Sequence, residues 1–207
     1  MEEKDTILFF HGWGLSPYSY KKITSNLSKR YRVISPKINF LDYETQLKEI
    51  EKQIKGKVII ISHSAGSVIA GEFAKKFPLK VKRIILLSPA GFSVRSFQNW
   101  IFSWFMHLTN IVMKHPGISS RITFDFFITS ILHPQYAAKS MRKLSRVKLN
   151  GFTNKTLAIF ADNDKLVPLP SENNVVKFEE VKGDHYWVFE NQKELIRRLE
   201  LEKKINL

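Results

Sequence analysis

The most constraining stretch of this sequence is Lys57-Val58-Ile59-Ile60-Ile61, which runs without a break into Ser62-His63-Ser64-Ala65-Gly66. A short apolar run with no polar alternation has no face to offer water. It reads as a strand buried on both sides, at the centre of a parallel sheet. Residues about 65–77 then read as a helix that Pro78 ends. A turn this abrupt strains its central residue, so the positions two before and two after must be small. Ser62 and Gly66 meet that demand. Ser64 is thereby raised above the sheet, with a helix N-terminus behind it that favours developing negative charge. A nucleophilic serine needs that strand–turn–helix setting, although its usual string is G-x-S-x-G and serine stands here for the first glycine. The competing reading is an ordinary Ser-rich turn. His63 adjoins Ser64 on the turn, so its ring is expected to point elsewhere and not to act as the base.

Apolar runs and helical patterns alternate on either side. Strands are expected at Thr6–Phe10, Arg32–Ser35, Arg83–Leu87, Thr156–Ala161 and Val175–Val181. Helices are expected over about 17–28, with Ser16 as cap and Pro17 at the first position, over Tyr43–Lys55, and over about 190–204. This alternation predicts an α/β fold with a mostly parallel sheet of about six strands and helices on both faces. Only residues from about 91 to 150 break the rhythm. They show no strand pattern and read as a helical insertion in a single domain spanning 1–207.

His11-Gly12-Trp13-Gly14 follows the first strand. An H-G-x-G loop there, together with the turn at Ser64 two strands later, resembles the α/β-hydrolase superfamily. The resemblance implies an oxyanion hole made by the backbone N–H groups of Trp13 and Ala65, with His11 bracing the loop. The Trp13 indole has a second possible use in lining the substrate pocket.

Asp162-Asn163-Asp164-Lys165-Leu166-Val167-Pro168 follows the fifth strand. It is similar to the family's acid loop, in which an aspartate stands shortly before a V-P pair. The match selects Asp164, with Asp162 as runner-up. Gly183-Asp184-His185 precedes the final helix, where the family places its base. The implied order Ser64, Asp164, His185 is that of α/β-hydrolases. His107, His115 and His133 lie in the insertion without such context and read as surface or core residues.

The insertion begins with Phe97, Trp100, Ile101, Trp104, Phe105, Leu108 and Met113. At helical spacing these form either a plain packing face or an apolar lid, in which Trp100, Trp104 and Phe105 would contact a hydrophobic ester or thioester. A membrane-facing stretch is the third reading. Net charge is +14, from 33 Lys+Arg against 19 Asp+Glu. Such a surface attracts an acidic carrier protein or an anionic membrane, unless it is only compositional; no nucleic acid is expected. H-G-W-G, a short helical lid and a basic surface are also distantly similar to the esterases acting on pimeloyl-carrier-protein methyl ester. That likeness makes Arg95, Arg121, Lys139, Arg142, Lys143 and Arg146 the candidates for gripping a carrier. There is no cysteine, which excludes disulfides and thiolate chemistry. No metal or organic cofactor is implied. No stretch approaches the ~18 apolar residues of a membrane span, and a cytoplasmic setting is expected. A non-catalytic binding module that kept the fold is the reading from another class.

Overall fold

The computed structural model describes residues 4–92, 116–147, 149, 155–167, 169 and 177–205. Its strands are β1 (Thr6–Phe10), β2 (Arg32–Ile34), β3 (Val58–His63), β4 (Val81–Leu87), β5 (Thr156–Ala161) and β6 (Lys177–Val181). They form one sheet in the order β2-β1-β3-β4-β5-β6, with every neighbouring pair parallel. β1 and β3 are neighbours, yet the chain leaves β1 for β2 on the opposite side. The sheet order therefore reverses between β1 and β3, and in open α/β sheets ligands bind beyond the carboxyl ends of such strands.

Period-two side-chain alternation feeds two cores, one on each face. Leu8, Phe10, Ile60, Leu86 and Phe160 point to one side, with Leu47 and Ile50 of α2 (Tyr43–Lys52) and Val68 and Phe73 of α3 (Gly66–Lys76). Ile7, Phe9, Ile61, Leu87 and Ile159 point to the other. There they meet Ile23 and Leu27 of α1 (Lys21–Ser28), together with Trp187 and Leu195. Both faces being covered explains why β3 is apolar along its length.

Several boundaries differ from the sequence reading: β4 starts two residues early, at Val81, β2 stops at Ile34 and α2 stops at Lys52. β3 continues through Ser62 and His63, because these pair with Leu86 and Leu87 of β4. The helix after Ser16 opens as a 3-10 turn, Pro17–Tyr20, before α1 begins. The closing helix is broken at Asn191: a short turn, Trp187–Glu190, precedes the longer helix Gln192–Ile205. Between β4 and β5 the described chain forms α4 (Pro116–Phe127), a π-helical turn Ile128–Leu132, and α5 (Pro134–Ser145). Arg95, Trp100, Trp104, Phe105, His107 and His115 lie outside the described residues.

Candidate active site

Ser64 sits at the carboxyl end of β3 with φ 52°, in the left-handed region that a non-glycine residue occupies at a cost of about 1–3 kcal/mol. The backbone holds it there. Ser64 N donates to Leu87 O at 3.0 Å, and Ser64 O accepts from Ser67 N at 3.0 Å and Ala90 N at 3.2 Å. The small neighbours are explained atom by atom. A Cβ on Gly66 would stand 2.5 Å from the Phe10 carbonyl oxygen and 2.7 Å from that of His11, so α3 abuts the end of β1 at its backbone. Ser62 is fully buried, and its hydroxyl finds Ser67 Oγ at 3.1 Å, which accommodates serine where glycine is usual.

The loop after β1 is fixed by His11, itself buried. Ile38 N donates to His11 Nε2 at 3.0 Å, so the ring proton is on Nδ1 and goes to Gly12 O at 2.9 Å. Burial holds this imidazole neutral, with its pKa lowered to about 4. In a planar trans peptide the carbonyl and the following N–H point opposite ways. Pinning Gly12 C=O therefore also sets the direction of Trp13 N–H. The Trp13 indole is buried, donates to Ser140 Oγ of α5 at 2.8 Å and meets the Phe126 ring edge-on at 5.8 Å.

Across the cleft, Asp164 and His185 are both buried. His185 Nδ1 lies 2.7 Å from Asp164 Oδ2, while Asp164 Oδ1 accepts the N–H groups of Leu166 at 2.9 Å and Val167 at 2.8 Å. Burial alone would raise the Asp164 pKa. The charge of His185, its hydrogen bond and the two amides outweigh burial and hold the carboxyl below its usual value. With Nδ1–H given to the carboxylate, Nε2 is the ring nitrogen left to act as a base. The runner-up, Asp162, is exposed and accepts from Gly183 N at 3.0 Å, closing the turn after β6.

Ser64, His63, His185, Gly12, Trp13, Leu15, Ala90, Leu166, Val167 and Tyr186 line one cleft of about 430 Å³, counting its open mouth. A hydroxyl on a strained turn and an imidazole backed by a buried carboxylate thus share one space, the arrangement that lets a base activate a nucleophile. Leu15, Ala90 and Tyr186 carried no motif in the sequence. They reach the cleft only because their loops pack beside Ser64 and His185. Among the described residues, no group of three or more His, Asp or Glu is gathered as metal ligands.

The family described as serine aminopeptidase, S33, matches residues 7–177, most of the chain. The chain belongs to this family. It is accordingly a hydrolase of the α/β-hydrolase superfamily. Solved structures of similar fold include an esterase from Thermogutta terrifontis, with 15% identity, TM-score 0.76, and coverage of 100% of this chain and 92% of that one. Est816, described as an N-acyl homoserine lactone degrading enzyme, has 14% identity and TM-score 0.76, covering 96% and 93%. The meta-cleavage product hydrolase CumD from Pseudomonas fluorescens has 18% identity and TM-score 0.70, covering 98% and 91%. A curated relative, "Probable 1-acylglycerol-3-phosphate O-acyltransferase" of Oryza sativa subsp. japonica, is 30% identical over 111 residues. That match spans 44% of this chain and 27% of the rice protein.

Of the insertion histidines, His133 is described and is exposed, just ahead of α5. Lys139, Arg142 and Arg146 are exposed. Lys143 is tied inward instead: its Nζ reaches Leu41 O at 2.9 Å and Glu44 Oε1 at 2.7 Å, and lies 4.3 Å from the Tyr43 ring centroid. Among the described residues no helix is long and apolar enough to cross a membrane.

Proposed function

We propose that this hydrolase is a serine esterase acting on a carboxylic ester or thioester with a hydrophobic acyl group. His185 Nε2 takes the proton of Ser64 Oγ as that oxygen attacks the acyl carbonyl carbon. The oxyanion rests on the N–H groups of Trp13 and Ala65. The proton then passes from His185 to the leaving alcohol or thiol, leaving an acyl-enzyme. Water, deprotonated by His185, attacks the acyl carbon and releases acid and free Ser64. Asp164 keeps the tautomer and compensates the imidazolium. The observation that carries this reading is the buried Asp164–His185 pair opening on the same cleft as the strained Ser64.

The described part of the cleft wall supports an acyl over a peptide substrate. An aminopeptidase needs an anion for the substrate's terminal ammonium, whereas Trp13, Leu15, Ala90, Leu166 and Val167 offer an apolar surface. Trp100, Trp104 and Phe105 would extend that surface if the insertion forms a lid over it. An acyl-enzyme of this kind can also pass its acyl group to an alcohol in place of water. A cytoplasmic setting belongs to the same reading.

A panel of p-nitrophenyl esters of increasing chain length tests it. The expected result is turnover that rises with chain length and falls at least about 10⁴-fold in Ser64→Ala. Turnover that survives Ser64→Ala would refute the mechanism, and no turnover by the folded wild type would favour the non-catalytic module.

A second reading concerns where the acyl chain comes from. Phe124, Phe127, Ile131 and Leu132 are exposed around the π turn, and Lys139, Arg142 and Arg146 are exposed on the adjoining α5. An apolar knob beside cations suits an anionic membrane or an acidic acyl carrier. Co-sedimentation with anionic vesicles that weakens with salt supports the membrane; binding to neither vesicles nor an acidic carrier removes this second reading.

A further inference from the structure

We propose that Tyr20 and His63 form a neutral hydrogen-bonded clasp that sets the oxyanion loop, the nucleophile turn and the base loop in register, making both positioning residues for hydrolysis. The inference rests on the roles given above to Ser64, His185 and the Trp13 amide.

The direction of every bond in the clasp is determined by chemistry. His63 Nε2 faces the backbone carbonyl of His185 at 2.9 Å, and a carbonyl only accepts, so Nε2 carries the proton. Burial keeps the ring neutral, its pKa lowered to about 3, which leaves Nδ1 as an acceptor. The Tyr20 hydroxyl, 2.7 Å from Nδ1, is then the donor. Its oxygen in turn accepts the Gly12 N–H at 3.2 Å. The chain therefore runs Gly12 N–H to Tyr20 Oη–H to His63 Nδ1, and from His63 Nε2–H to His185 O. It ties the loop after β1, the last residue of β3 and the loop after β6, with 43 residues separating Tyr20 from His63 and 122 separating His63 from His185.

Two further observations make the clasp mechanical rather than incidental. Gly12 leaves no easy room for a side chain, because a Cβ there would lie 3.3 Å from each of Ser64 Cβ, His63 Nδ1 and Tyr20 Oη. The clasp and Ser64 thus crowd the same face of Gly12, next to the Gly12–Trp13 peptide. The His63 and His185 rings are 4.9 Å apart. A neutral His63 braces the His185 backbone without placing a second cation beside the imidazolium formed in each turnover. A lysine or arginine at position 63 would oppose that charge. Neither Tyr20 nor His63 touches the reacting atoms in this mechanism.

Tyr20→Phe removes one oxygen and keeps a ring packed between Phe9 and Phe189, whose centroids lie 5.0 and 4.8 Å away. The measurement is kcat and KM per site titrated with a fluorophosphonate, so that misfolded molecules do not count. The expected result is kcat about tenfold lower with KM within about twofold of wild type. Ile23→Val, a core change on the neighbouring α1, is the control: it lowers Tm and leaves kcat per titrated site unchanged. If Tyr20→Phe does not fold, His63→Gln serves, because its amide reaches toward the His185 carbonyl but loses Tyr20; the same drop is expected. An unchanged kcat per site, or a rise in KM alone, overturns the clasp while leaving the Ser64 mechanism intact. Activity that persists in Ser64→Ala instead overturns the mechanism on which the clasp rests.

Discussion

On the sheet side of the cleft, His11, Tyr20, His63, Asp164 and His185 are all buried, and hydrogen bonds to backbone or to one another fix each of them. On the insertion side, Ile122, Phe126, Ala137, Met141 and Leu144 of α4 and α5 pack into the two cores, and a few polar anchors add to that contact. Trp13 Nε1 donates to Ser140, Ser16 and Ser19 donate to Asp125, and Lys143 reaches Glu44. The same insertion leaves Phe124, Phe127, Ile131 and Leu132 exposed, while the strands bury nearly every apolar side chain they carry. Under the proposed mechanism the difference separates two jobs. Acid–base chemistry needs fixed tautomers and fixed distances, which a low-dielectric, fully hydrogen-bonded framework supplies. Choice of substrate needs a surface that can change without disturbing that framework.

Changes on the sheet side should therefore cost far more than changes on the insertion. The largest expected effect after loss of Ser64 is that of Asp164→Asn. The amide retains the shape but cannot hold His185 in the right tautomer, and kcat should fall about 10³- to 10⁴-fold. Steady-state kinetics on any ester that the wild type accepts checks this. A loss under tenfold would mean that Asp164 is only a structural anchor for the loop amides of Leu166 and Val167.

Next in size is an acid sensitivity confined to the sheet side. His11 and His63 are buried neutral, with pKa values lowered by burial to about 4 and about 3 from a usual 6.5. His63 faces Tyr20, Tyr186, His185 and Asp164, and His11 faces Asp125 and Lys37. The unfolded chain binds more protons below pH 6.5, so stability falls as pH drops from 6.5 toward 4. At pH 5 the loss should be about 2 kcal/mol per histidine, at 1.36 kcal/mol per pH unit. Asp164 works in the opposite sense and in a lower window: its stabilisation is complete above pH 3.8 and is lost only below that. Urea denaturation at pH 7 and pH 5 measures the difference. Equal stability at the two values would show that these imidazoles are not held neutral.

Smaller effects belong to the insertion. Ser140→Ala leaves the Trp13 indole N–H buried without its acceptor and should cost about 1–3 kcal/mol in denaturant titration. Its effect on activity should fall on KM more than on kcat. A kcat loss as large as that of Asp164→Asn would erase the distinction between the two sides. Phe124→Ser with Phe127→Ser should change stability by under about 0.5 kcal/mol, since both rings are exposed. Reduced co-sedimentation with anionic vesicles would assign this face to lipid, and a stability loss above about 2 kcal/mol would show it to be packed.

The sequence was most legible where geometry is local. The apolar alternation gave all six strands to within two residues over the described chain. The need for small residues around Ser64 is visible in Ser62 and Gly66, and the spacing of Asp164 before Val167-Pro168 selected the carboxylate that meets His185. What stayed hidden was long-range. Nothing near Tyr20 in the chain says that its hydroxyl sits between Gly12 and His63, because that contact exists only once α1 packs on the sheet. The place of His63 beside Ser64 says only that its ring points elsewhere; its two hydrogen bonds reach 43 and 122 residues away and leave no local signature. Lys143 shows the same limit: as one cation among 33 Lys and Arg it looked available to a partner, and the fold engages it with Glu44 and Leu41.

The most direct test is to label the folded protein with a fluorophosphonate at pH 7.5 and map the modified peptide by mass spectrometry. The mechanism predicts one adduct per chain, on the peptide holding Ser64, formed much more slowly in Asp164→Asn and His185→Ala. An adduct on another residue, or labelling of Ser64 at the same rate when His185 is removed, would contradict it.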